Sequence, residues 1–161
     1  MPKLPILRPA FRVERVVVTG GRDFDDRVFI YSALNEVLDE LGFSYLIEGD
    51  APGLDKIAGL WARQTLGAAG NIKVPADWSN IETTGAVVKT RKDGTAYNAL
   101  AGHQRNQQML EEERPDFALV FPGNAGTRDM LGRIEKAGIR HRLIGYPKHY
   151  DGIDFTKRYR R

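Results

Sequence analysis

The chain has 161 residues, no cysteine and a formal net charge of +3. That length suits one domain with its own core. The lack of cysteine excludes disulfides and thiolate chemistry and fits a reducing, cytoplasmic setting, and no apolar run is long enough to span a membrane. Residues 1–12 carry three basic residues and no acid, and residues 151–161 carry four basic and two acidic, so the body between them holds about −2. A body of that sign argues against nucleic acid as the main partner. Three scattered histidines offer no metal-ligand spacing.

Residues 1–13 read as an irregular leader, too short and too proline-broken for a signal peptide. A body over residues 14–146 follows. It opens with a buried strand at residues 16–18, ended by Thr19-Gly20-Gly21-Arg22-Asp23. Asp25 or Asp26 caps a helix to about Leu41, whose apolar residues recur every three or four positions, and Gly42 ends it. A second strand at 45–47 runs into Glu48-Gly49-Asp50-Ala51-Pro52-Gly53, then a helix over about 54–66. Residues 72–74 form a third strand, stopped by Pro75.

Residues 76–101 are irregular, apart from a hairpin insertion at about 86–98. Its signal is Asp93-Gly94 as a two-residue turn between runs rich in Val, Thr and Tyr. The hairpin either lids the crevice, extends a dimer partner's site or is an inert surface excursion. A helix follows from about Gly102 to Glu112, then a strand at 117–121. Pro122 stops that strand, and a helix runs from about Thr127 to Lys136, closed by Gly138. A last strand at 142–144 precedes a basic tail at 147–161. About five alternations of strand and helix predict an α/β fold: a doubly wound parallel sheet of about five strands, with the first strand beside the fourth. The crevice of such a sheet lies at the carboxyl ends of those two strands, where Gly20-Gly21 and Gly123/Gly126 both fall.

Several loop residues are suited to holding an anion or a sugar. Gly123 and Gly126 let backbone approach a ligand closely, and the unpaired N–H groups at the start of the next helix favour a phosphate. Arg22, after Gly20-Gly21, either forks onto phosphate oxygens or pairs with Asp23 or Asp25. The carboxylates at Glu48, Asp50 and Asp55 can accept from ribose hydroxyls, or Asp55 can simply favour its helix N-terminus. Arg105, in the first helical turn where a cation is unfavourable, points toward something anionic or into solvent. Thr19-Gly20-Gly21-Arg22-Asp23 lacks the dinucleotide glycine spacing, so a nicotinamide enzyme is not expected. Trp78, after the strand-end proline, is the aromatic placed to stack on a base.

His103-Gln104-Arg105-Asn106, followed by Pro122-Gly123-Asn124-Ala125-Gly126-Thr127, resembles the paired signature of the LOG (Lonely Guy) phosphoribohydrolases, His-x-Arg-Lys and Pro-Gly-Gly-x-Gly-Thr-x-x-Glu. The full set of loops is more similar still to the YspA-like branch of the same SMF/DprA–LOG (SLOG) superfamily. The resemblance implies a Rossmann-like fold binding a nucleotide or nucleotide-derived ligand, no metal and no cofactor, and a homo-oligomer. It implies a ligand site of Gly20, Gly21, Arg22, Asp23, Gly49, Gly53, Asp55, Arg105, Asn106, Pro122, Gly123, Asn124, Gly126 and Thr127. If the LOG activity is retained, the N-glycosidic bond of a nucleoside monophosphate is hydrolysed, with Arg105 and Asp129 in catalytic roles. Two departures weaken that activity: Asn124 replaces the second glycine, and Met130 stands where the family has its glutamate. A ligand sensor without turnover is the alternative. A single-stranded DNA binder is a third reading that lacks a basic groove.

Overall fold

A computed structural model describes residues 12–145. Most of the expected leader and all of the basic tail lie outside the described residues. The sheet is five-stranded and wholly parallel. Its strands are β1 (Arg15–Thr19), β2 (Tyr45–Glu48), β3 (Asn71–Lys73), β6 (Phe117–Val120) and β7 (Arg140–Leu143), in the order β3-β2-β1-β6-β7. The first parallel strand therefore lies beside the fourth, as expected. A separate two-stranded antiparallel sheet, β4 (Val88–Thr90) and β5 (Ala96–Asn98), is the hairpin insertion.

Side-chain alternation along the central strands builds two cores. Val16, Val18, Leu46, Phe117 and Leu119 face α1 (Arg27–Leu41) and α2 (Leu54–Leu66), where Ile30, Leu34, Leu54 and Trp61 complete one layer. Val17, Ile47, Ala118 and Val120 face the other way, onto Met109 and Leu110 of α3 (Ala101–Glu113) and Met130 and Ile134 of α4 (Ala125–Lys136). Helices thus cover both faces, and the fold is Rossmann-like. Asp26 caps α1 through the Phe29 N–H at 3.1 Å, and Gly42 closes it in the left-handed conformation.

Three local expectations need correction. The hairpin turn is not centred on Asp93-Gly94. The Gly94 N–H donates to the Arg91 carbonyl, which puts Lys92 and Asp93 at the centre, and Gly94 follows at φ +87° as the bulge residue. Helix α4 begins at Ala125, two residues early, because the chain turns at Asn124 without a side-chain cap. The last strand begins at Arg140, a largely exposed polar edge whose pairing with Phe117 sets its start where no apolar pattern marks it.

The β1–β6 register decides the position of the site. Thr19 pairs with Val120, so both strands run out together and the ladder continues through Phe121 N–H to Thr19 O and Gly21 N–H to Pro122 O, each 2.8 Å. The two glycine turns are held edge to edge. A Cβ on Gly123 would fall on the Thr127 hydroxyl and lie 2.8 Å from the Gly21 nitrogen, whereas a Cβ on Gly126 would meet nothing within 4 Å. Gly123→Ala is therefore expected to destabilise the protein by about 1–3 kcal/mol. Gly126→Ala, in the exposed first turn, should stabilise it by up to about 1 kcal/mol. Urea unfolding of the two variants checks the contrast.

Candidate functional site

A cavity of about 780 Å³ opens over the carboxyl ends of β1 and β6. The β1 loop supplies Gly20, Arg22 and Asp23 to its wall, and the α4 start supplies Asn124, Gly126 and Thr127. Helix α3 adds His103, Arg105 and Asn106, and α2 adds Asp55. Nine of the residues expected from sequence thus share one crevice. Gly21, Gly49, Gly53, Pro122, Gly123 and Asp129 are not among its lining residues.

Those others do different work. The Gly21 amide is spent on Pro122, and its carbonyl accepts from the Phe24 and Leu54 N–H groups at 3.1 and 3.2 Å. Gly53, at φ +75°, is pressed against the Arg22 carbonyl, so a side chain there would collide. Gly49 separates the Arg105 guanidinium from Asp55. These residues are construction that brings the loops together.

The start of α4 leaves helix amides without partners at the crevice. Asn124 makes no side-chain cap, and the first helical bond runs from Arg128 N–H to the Asn124 carbonyl. Among the described residues, nothing accepts from the N–H groups of Ala125, Gly126 or Thr127. Partial positive charge therefore gathers at the crevice floor.

Arg105 is fixed rather than free. Its Nη1 donates to the Gly49 carbonyl at 2.5 Å and the Val74 carbonyl at 3.4 Å, and its Nε donates to Asn106 Oδ1 at 3.1 Å. It sits in the second turn of α3, so the unfavourable placement read from sequence is offset by carbonyls at the ends of β2 and β3. Asp55 is 8% exposed, and its Oδ2 accepts from the Gly49 and Ala51 N–H groups at 3.1 and 3.3 Å. Burial pushes its pKa up to about 6, against the pull of Arg105 and those two hydrogen bonds.

Asp129 stands behind the crevice lining, its Oδ1 3.7 Å from Nδ1 of the lining residue His103. Its Oδ2 accepts from Arg133 Nε at 2.9 Å and Asn106 Nδ2 at 3.0 Å. Burial would raise its pKa, but the hydrogen bonds from Arg133 and Asn106 outweigh it and hold the carboxyl below its ordinary range. Met130 is wholly buried in the second core. Glu48, a third carboxylate considered from sequence, is also fully buried on the α2 side, away from the main crevice. Its Oε2 accepts from the Asp50 N–H at 2.8 Å, and desolvation, with Asp55 and Asp50 adding to it, pushes its pKa up to about 7. Arg91 was not among the site residues expected from sequence. It lines the crevice from the hairpin, stacked 4.5 Å from the Tyr97 ring centre. Among the described residues, no helix is long and apolar enough to cross a membrane, and no acidic, histidine or cysteine group could hold a metal.

Residues 14–80 match the model of the YspA, cpYpsA-related SLOG family. That bears out the likeness to the SLOG superfamily and its YspA-like branch. The chain is also similar to the Gene 61 protein of Mycobacterium phage D29, 28% identical over 130 residues that cover 79% of this chain and 93% of the phage protein. Among solved structures it aligns with a crystal structure of UDP-N-acetylglucosamine 2-epimerase at 12% identity and a TM-score of 0.47, covering 92% of this chain and 38% of that one.

The raised carboxylates set a pH dependence of stability. Folded Glu48 keeps its proton to about pH 7, whereas the unfolded chain loses it near 4.5. The folded state binds the extra proton, so unfolding free energy is highest below pH 4.5 and falls as pH rises through 7, by on the order of 3 kcal/mol. Asp55 adds a loss in the same direction between about 3.8 and 6. Denaturant titrations at pH 5, 6.5 and 8 should show the decline, and Glu48→Gln should flatten it between 6.5 and 8.

Proposed function

Taking residues 14–80 as a YspA-like SLOG segment, we propose that the crevice binds a nucleotide or nucleotide-derived ligand, its phosphate on the N–H groups of Ala125, Gly126 and Thr127. The observation that carries the reading is the unpartnered helix start opening into a cavity that Arg22, Arg91 and Arg105 also line. The cavity volume falls within the range usual for small-molecule sites, about 300–1,000 Å³. Asp55 and Asp23 supply acceptors for sugar hydroxyls, and the Asn106 side chain is already committed to Asp129 and the Gly126 carbonyl. Binding without turnover, as in a sensor, accords with the engagement of Asp129 by Arg133 and Asn106 and with Met130 in the core.

Hydrolysis of an N-glycosidic bond is the second reading, and Asp55 favours it. A buried, crevice-lining carboxyl whose pKa is raised to about 6 is suited to general acid–base work near neutral pH. In this reading Asp55 replaces Asp129 as the working carboxylate, and Arg105 holds its loop.

Thermal-shift and calorimetric titration with a panel of ribo- and deoxyribonucleoside 5′-monophosphates, and with the matching nucleosides, tests the binding. Nucleotides should raise the midpoint and nucleosides should not; equal binding of the two, or no shift from any nucleotide, would overturn the phosphate site. Gly126→Asp places a carboxylate where a Cβ meets open space. It should leave stability unchanged or slightly higher, yet weaken nucleotide binding about tenfold or more. Chromatography of the recovered ligand separates the two functions. Intact nucleotide supports the sensor, and free base that disappears in Asp55→Asn but persists in Asp129→Asn supports hydrolysis.

A further inference from the structure

A smaller cavity of about 260 Å³ adjoins the crevice at the exits of β2 and β3. Its outer wall is formed by Gly49, Asp50, Pro52, Pro75 and Ala76, and the partition it shares with the main crevice is Arg22, Ala51, Trp78 and Arg105. Two prolines and two alanines give the slot small, rigid walls with a half-buried indole as one side, and Arg22, Asp50 and Arg105 bring charge to it, so its lining is mixed rather than apolar.

Trp78 is held in place from both ends. Its backbone carbonyl accepts from the Asn98 N–H at 2.7 Å, which ties it to the hairpin. The far edge of its ring rests over Gly102 in the first turn of α3, where a Cβ would lie 3.3 Å from the ring. The Arg22 guanidinium lies 5.8 Å from the indole centre, in cation–π range. Arg22 is itself exposed and makes no hydrogen bond with a described side chain, so moving off the ring breaks a cation–π contact and changes its electrostatic pull on Asp55 but breaks no hydrogen bond to a side chain.

We propose that this slot is the base subsite of the nucleotide site: a planar heteroaromatic base stacks on Trp78, taking the place of the Arg22 guanidinium, while the phosphate rests at the start of α4. The inference rests on the nucleotide reading above and adds where the base goes and what recognises it. Stacking on an indole tolerates any base, because each presents a π face. Arg22 and Arg105, at the slot's inner wall, offer N–H donors to ring nitrogens and carbonyls, which favours bases rich in acceptors. Trp61 is buried in the first core and has no part in the site.

The two tryptophans make the test direct, since Trp78 is accessible and Trp61 is 1% exposed. Iodide quenching of intrinsic fluorescence is measured with AMP, with GMP and with ribose 5-phosphate, which lacks a base, alongside calorimetric affinities. A nucleotide should shield Trp78 from iodide and ribose 5-phosphate should not. Trp78→Ala should weaken nucleotide binding about tenfold while leaving ribose 5-phosphate affinity within twofold, and Trp78→Phe should recover most of the loss. A nucleotide that binds with Trp78 still open to iodide, or with equal affinity to wild type and Trp78→Ala, would overturn the subsite and leave the phosphate site standing. Failure of both nucleotides and of ribose 5-phosphate to bind would overturn the nucleotide reading and the subsite with it.

Discussion

The hydrogen bond from Gly21 N–H to the Pro122 carbonyl is the constraint on which the rest of the site depends. Parallel strands β1 and β6 end in register, and this bond continues their ladder into the loops. It forces two backbones into contact, and between the Thr127 side chain and the Gly21 nitrogen Gly123 has no room for a Cβ. The same contact fixes where α4 can begin. Pro122 offers no N–H to extend the ladder, so the chain must leave the sheet there. The first free amides of α4 then fall beside the β1 loop.

Charge in the crevice follows a related logic. Arg105 reaches from α3 to carbonyls at the ends of β2 and β3, joining three elements with one side chain. Asn106 reaches the other way, to Asp129 and the Gly126 carbonyl of α4. The two adjacent residues thus brace both walls. Because these bonds are made within the protein, the crevice is organised before any ligand enters, and a ligand does not bear the cost of ordering those side chains. Asp55, held by two backbone amides and kept from water, is the one acid deep in this wall. Its raised pKa comes from burial that its neighbours only partly offset.

Much of this was legible in the sequence because it rests on short-range rules. The apolar runs at Val16–Val18 and Phe117–Phe121, the helical spacing after Asp26, and the glycine turns led to the strand order and to the crevice. What was not legible depends on which way a side chain turns once helices pack. Asp129 and Met130 are adjacent, and sequence leaves open which one faces the ligand. In the fold Met130 enters the core and Asp129 meets α3, so neither faces the crevice. Arg91 belongs to an insertion whose place over the crevice no periodicity encodes. The last strand was legible at 142–144, but its start at Arg140 and His141, on an exposed polar edge, is marked only by pairing with β6.

The methionine at position 130 ties the core to the question of function. In the LOG motif that the sequence resembles, this position is a glutamate. Here the side chain packs with Val17, Ile47 and Ile134 on the second face of the sheet, with no exposure to solvent. A carboxylate set among those neighbours without a partner would bear the desolvation cost of a buried charge, or would take up a proton and be useless as a base. Methionine removes that cost and adds packing. At this position the side chain therefore serves the core and offers the crevice no acid. The chemistry left to the crevice is then what its remaining walls provide, which is amides at a helix start, three guanidiniums and the carboxylates of Asp23 and Asp55. Those groups set hydrogen-bond donors and positive charge beside two carboxylates, one of them buried, and Met130 on the far side of the sheet adds nothing to them.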